Sequence, residues 1–168
     1  MSKPKTKRVR GQWQDVYGGS AFIMPMALLN HPNFMRIGPH TSKLVLDLGR
    51  QYSGLNNGYL CPAWELMRKQ GWRSRETLAV AIAELEHYRL IVKTRQGGRN
   101  CANLYAFTWW RIHALPDKAL DVIATVAPAN DWLQVQPDFV TPEWLARSRA
   151  NRKNRLAAKF PLHAQRAA

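Results

Sequence analysis

The sequence predicts a mainly α-helical α+β domain: three packed helices followed by one two-stranded β-hairpin. Three observations predict it. Apolar residues recur at helical spacing within residues 41–54 and again within residues 74–88. Gly54 and Gly71 stand where helices should stop. Two alternating runs, RLIVKTR and NLYAFTWW, bracket the pair Gly97-Gly98, which is a hairpin pattern.

Each element follows from its residues. Residues 1–19 lack apolar periodicity and end in Gly18-Gly19, so a disordered basic arm is expected. FIMP (22–25) reads as a short strand. MALLNHPNF reads as a short helix that stops near His31-Pro32, because proline disfavours helical geometry in the residue before it. In TSKLVLDLGRQYSG, Thr41 or Ser42 can cap a helix whose face is Leu44, Val45, Leu48 and Tyr52. NNG (56–58) is a turn, and YLC a brief extended segment. Pro62 suits the first turn of AWELMRKQ, and Trp72 is expected to be buried after it.

RSRETLAVAIAELEHYRL carries the clearest helix signal. Ser74 caps it, Glu76 suits its positive end, and Leu78, Ile82 and Leu85 face the core. Arg75, Ala79, Ala83 and Glu86 lie largely away from that stripe, and the alanines allow close approach to a surface. In the hairpin, Leu90 and Val92 alternate with Ile91 and Lys93. Leu104, Ala106 and Thr108 alternate with Tyr105, Phe107 and Trp109. Trp109 and Trp110 should therefore face opposite sides, one of them against the C-terminal segment or a second protomer of a homodimer. KALDVIATV reads as a short helix and PANDWLQVQPDF as an irregular connection. In TPEW, Thr141 caps, Pro142 takes the first helical position and Glu143 sits in the first turn. The organisation expected is an arm (1–19), a domain (20–112, core 40–110), an acidic connection (113–140) and a basic helix or tail (141–168).

Charge is unevenly spread. Residues 1–10 and 147–168 hold five and seven basic groups and no acidic ones, so the tails carry most of the net +14. Within the body, residues 68–99 hold eight basic and three acidic groups, whereas residues 112–146 hold one and five. Basic tails alone are compatible with inert, solvated chain. The internal basic region points instead to a polyanion, with nucleic acid the expected partner. No apolar run approaches the roughly 20 residues of a membrane span, and MSKPKTKRVRGQ is not followed by an apolar signal stretch. Cys61 and Cys101 form no CxxC and have no histidine at metal spacing, so reduced thiols in a cytosolic protein are expected, with no metal and no cofactor. GxxxxGK[ST] and GxGxxG are both absent, and His31, His40, His87, His113 and His163 are scattered. An enzyme and a small-molecule substrate are not expected.

The order helix, short strand, helix, tight turn, helix, hairpin is that of a winged helix-turn-helix domain, the hairpin being the wing. The words FIMPMALLNHPNF, LVLDLGRQYSGLNNGYL, MRKQGWRSRETLAVAIAELEHYRLIVKTRQGGRN and LYAFTWWRI resemble winged helix-turn-helix proteins of bacterial phages, plasmids and integrated elements. The resemblance covers roughly residues 20–112, and GWRSRETL through TRQGGRN is its most specific part. It implies the fold and duplex DNA binding. It also implies a transcription regulator of a mobile element, or a replication initiator or accessory protein that binds origin repeats. A winged domain used only for protein interaction is the reading from another class.

In such a domain the second helix of the helix-turn-helix enters the major groove by its N-terminal end. That end carries Arg73, Ser74, Arg75 and Thr77. Arginine can make a bidentate contact to guanine, and Ser or Thr can reach base or phosphate. The plainer role is that of solvated cap residues. Arg68 and Lys69 end the preceding helix, where they suit either its negative end or a phosphate. The wing offers Lys93, Arg95, Gln96, Arg99 and Asn100 to backbone or minor groove, and a solvated tip is the alternative. Arg8, Arg10, Arg147, Arg149, Arg152, Lys153 and Arg155 are the expected tail contacts. They spread around the C-terminal helix, which is expected to fray in isolation and order on DNA. Trp64, Trp72, Trp109 and Trp110 are expected in the core rather than stacked on bases.

Overall fold

The structure, a computed structural model, describes residues 21–99 and 101–159. The basic arm, Asn100 and residues 160–168 lie outside the described residues, as do the side chains of Arg149 and residues 156–159. The fold is α+β. In chain order it has α1 (Met26–Leu29), α2 (Pro32–Met35), α3 (Pro39–Gly49), α4 (Trp64–Lys69), α5 (Arg75–His87), β1 (Ile91–Arg95), β2 (Leu104–Phe107) and α6 (Glu143–Lys159). Two 3-10 turns, Pro116–Lys118 and Asp131–Leu133, lie between β2 and α6. No helix among the described residues is long and apolar enough to cross a membrane.

The core forms where amphipathic faces meet. α3 contributes Leu44, Val45 and Leu48, and α5 contributes Leu78, Ala81 and Leu85. Leu28, Leu60, Met67, Leu90 and Phe107 close the same cluster. A fully buried leucine of this kind is worth about 1.5–3 kcal/mol relative to an exposed one. Two carboxylates fix the geometry around it. Glu84 of α5 accepts from the Gly38 amide at 3.2 Å and from the Thr41 hydroxyl, satisfying donors at the start of α3. Asp47 of α3 is buried and accepts from Trp72 Nε1 at 2.8 Å and from Lys43.

Several expectations at the N-terminal side are corrected. FIMP forms no strand; it leads into α1, with Pro25 at the N-cap. The first helix does stop before His31-Pro32, at Leu29, but Pro32 also starts a second one, because proline suits the first helical position and the His31 side chain accepts from the Asn33 amide at 3.2 Å. α3 begins at Pro39 with Gly38 as N-cap, so Thr41 and Ser42 lie inside the helix. Gly49 allows a close approach: a Cβ there would sit 2.9 Å from the Phe22 ring. Phe22 in turn packs edge-on against Trp110 at 5.3 Å.

β1 and β2 are antiparallel, pairing Ile91 with Phe107, Val92 with Ala106 and Lys93 with Tyr105. An irregularity follows Lys93, so Arg95 pairs with Leu104. Thr94 sits at it, buried, and donates to the Gly58 carbonyl at 2.6 Å. Leu60 bridges to Tyr105 on the outer side of β2, which is the brief extended segment expected before α4. Gly98 and Cys101 exchange backbone bonds at 3.0 and 3.2 Å. The hairpin therefore turns after Gly98 and not on the glycine pair. Gly97 serves packing: a Cβ there would meet the Asn103 amide and the Cys101 carbonyl at 2.6 Å. β2 ends at Phe107, so the expected alternation of Trp109 and Trp110 does not hold. Both rings pack on Phe107, at 4.3 and 5.9 Å.

All four residues of β2 are buried, because the acidic segment packs on the domain. The Asp121 amide donates to Thr94 O at 2.8 Å, and the Asn130 amide to Thr108 O at 2.9 Å. Trp132 enters the core cluster. Buried Asn33 donates to the carbonyls of Trp132 and Gln134, both at 2.9 Å, and accepts from the Gln136 amide. Buried Asn57 accepts from the Phe107 amide at 2.8 Å and donates to the carbonyls of Phe107, Trp110 and Arg111. KALDVIATV is not a helix beyond the 3-10 turn at its edge. Backbone bonds to the hairpin replace helical ones there.

Candidate nucleic-acid interface

The α4–α5 turn is built by three local devices. Gly71 adopts φ +90°, which ends α4 in the left-handed region that glycine favours. Trp72 is buried and held by Asp47, pinning the turn to α3. Ser74 caps α5, its Oγ accepting from the Thr77 amide at 3.2 Å. Between these fixed points the basic side chains point outward. Lys69, Arg73 and Arg75 are exposed, with no carboxylate within ion-pair distance among the described residues. Arg68 reaches Glu65 at 3.2 Å, but both groups are exposed. The Arg75 guanidinium lies over the Trp64 ring, 5.4 Å from its centre, which gives a long side chain a defined direction.

Beside this turn lies a cleft of about 230 Å³ lined by His40, Lys43, Gly71, Trp72, Arg73, Ser74 and Thr77. Its cations are not equivalent. Lys43 donates to Asp47 and to the Gln70 carbonyl, whereas Arg73 is exposed. The Ser74 oxygen is used as a cap acceptor, so its hydroxyl proton is what it can offer a ligand. His40 and Lys43 were not singled out from sequence; their place at the cleft depends on the α3–α5 packing, which leaves no local pattern.

The hairpin distributes its polar groups differently from expectation. Arg95 is not a free tip cation. Its guanidinium donates to the carbonyls of Lys118 at 3.0 Å and Ala102 at 3.2 Å. The Gln96 amide donates to Asp121 at 2.6 Å. Lys93 lies 3.9 Å from Glu86 of α5, and burial pushes the Glu86 carboxyl up while Lys93 pulls it back. Arg99 is exposed, and Asn100 lies outside the described residues. Arg75, Ala79 and Glu86 share one face of α5, and Glu86 is where that face meets the hairpin.

The C-terminal helix is docked, not free. α6 packs on α5, Leu145 is buried, and Arg152 lies 3.4 Å from Glu76 in the first turn of α5. Arg147 pairs within α6 to Glu143 at 3.0 Å, and Lys153 and Arg155 are exposed. Arg8, Arg10 and the Arg149 side chain are outside the description. No protein-family model matches the chain, and neither a curated protein nor a solved structure matches it.

Proposed function

We propose that the protein binds double-stranded DNA as a winged helix-turn-helix, with α5 as the recognition helix and the β1–β2 hairpin as the wing. The observation that carries this reading is the α4–α5 turn, which holds Lys69, Arg73 and Arg75 exposed and without carboxylate partners among the described residues. The Leu60–Tyr105 bridge supports it, since it supplies the short strand ahead of α4 that the winged arrangement includes. Arg75 and Arg73 are the candidates for base or phosphate contact, with Arg68 and Lys69 on the backbone. Arg99 is the wing contact. Lys93 and Gln96 flank it, and Arg95 acts as a support of the wing.

The role that fits is a non-enzymatic, sequence-specific regulator of a bacterial mobile element. A replication initiator or accessory protein uses the same chemistry and differs in whether the bound sites flank a promoter or repeat within an origin. Titration of labelled duplex across a salt series tests the reading. A slope of about −0.9 in log K against log salt is expected for each phosphate contact. Affinity that does not change with salt would remove it.

A second reading, a winged domain that binds proteins, draws on the apolar edge of the acidic segment. Ile123 and Val126 are 89% and 95% exposed. It predicts no shift of any duplex.

A further inference from the structure

The core side of α5 is marked by Leu78 and Leu85, both buried. At helical spacing, Glu76, Ala83 and His87 fall on the opposite side, the outward face that would approach a groove. That face is not bare. At its C-terminal end, His87 Nε2 lies 2.8 Å from the Pro137 carbonyl, and the His87 ring packs on Phe139 at 5.5 Å. The Phe139 amide donates to the Tyr88 hydroxyl at 3.1 Å. At its N-terminal end, Arg152 pairs with Glu76 at 3.4 Å. The chain from Pro137 to Arg152 therefore runs along the outward face from one end of α5 to the other.

This stretch is firmly held at its Pro137–Phe139 end, where Arg36 pairs with Asp138 at 2.7 Å and Phe139 packs on the core cluster, but its α6 end is lightly fastened. The Arg152 and Glu76 side chains are 56% and 25% exposed, so water and salt screen their attraction. Leu145 is the buried apolar residue among the described side chains of α6, while its neighbour Trp144 is exposed. A polyanion offers Arg152 several closely spaced anionic groups in place of one carboxylate, and each phosphate can take a bidentate, charge-assisted contact. It also draws on Lys153 and Arg155, both exposed on the same helix.

We propose that residues 137–152 form a strap over the outward face of α5, one whose α6 end lifts from Pro142 onward when the protein engages duplex DNA, with Arg152 exchanging Glu76 for phosphate. The inference rests on the duplex-binding reading. The strap makes the resting chain a self-limited binder: only the fraction with α6 undocked presents the whole helix, and the apparent affinity falls by that fraction.

The test locks and loosens the strap in the full chain. Cysteines at Glu76→Cys and Arg152→Cys, with Cys61→Ser and Cys101→Ser, are bridged by a bismaleimide linker. Duplex binding of the bridged form is compared with that of the same protein unbridged, so charge at both positions is matched. The bridged form should bind about tenfold more weakly or worse, within the usual range of coupling between two states. Separately, Leu145→Ala removes the apolar anchor without changing charge and should tighten duplex binding about fivefold or more. Equal affinity of bridged and unbridged forms, or binding weakened by Leu145→Ala, overturns the strap and leaves duplex binding standing. Absence of duplex binding in the wild-type and unbridged proteins alike removes the duplex reading, and the strap with it.

Discussion

Arg95 donates from Nη1 to the carbonyl oxygen of Lys118, 3.0 Å away. A side chain whose spacing suggests a ligand contact is thus part of the frame. It joins the hairpin to the segment that covers it. Arg95→Ala should cost about 1.5–3 kcal/mol, the range for hydrogen bonds to charged groups. The melting temperature should fall by several degrees while the salt slope of DNA binding stays as in the wild type. A slope shallower by about one unit would return Arg95 to the contact set.

Arg99→Ala should do the reverse. The side chain is exposed, so stability should be unchanged within about 0.5 kcal/mol. Affinity for specific and random duplexes should fall together, with the salt slope shallower by about 0.9. Thermal melting and binding isotherms on both duplexes check the pair of outcomes.

Arg75→Ala should narrow the gap between specific and random DNA by about 1–3 kcal/mol, the worth of one bidentate base contact. Competition of the two duplexes for one protein sample measures that gap. An unchanged gap with weaker binding throughout would move Arg75 to the phosphate group of contacts.

Asn57→Ala tests the joint beneath the hairpin. It strands the Phe107 amide and the carbonyls of Trp110 and Arg111, which Asn57 satisfies at 2.8–3.1 Å. Each buried group left unpaired costs about 1–3 kcal/mol. A chemical-denaturation midpoint far below that of the wild type is expected.

The His113 pKa is held below its ordinary value, first by burial and then by the neighbouring Arg111. The folded form therefore prefers the neutral ring. Stability from this site is fully present above the ordinary histidine value of about 6.5 and is lost as pH falls through the lower folded value. Melting temperature should decline from pH 7 to pH 5, and His113→Gln should flatten that decline. An identical decline in the variant would assign it to other groups.

Local signals carried much of this fold into the sequence. Ser74, the Leu78–Leu85 stripe and Gly71 all act within one or two turns of their own position, so α5 and its entry were legible from spacing alone. The stop before Pro32 was legible, but the second helix that Pro32 begins was not, because its cap is the His31 side chain, a residue outside the usual capping set. Arg95 and the acidic segment were opaque for a different reason. Their partners lie far along the chain, and Trp132 reaches the core from a stretch with no apolar period. At the site, exposure of Arg73 and Arg75 was readable, whereas the coverage of α5 by α6 depends on tertiary docking.

Buried Asn33 bonds to Trp132, Gln134 and Gln136, partners 99 to 103 residues downstream. During synthesis, the early helices are made long before the chain that satisfies them. At about 5–20 residues per second, the ribosome leaves that asparagine without these partners for several seconds. The last cooperative step of folding should therefore wait for the acidic segment to clear the exit tunnel. A nascent chain stalled before residue 132 should be open to proteases that the finished domain resists.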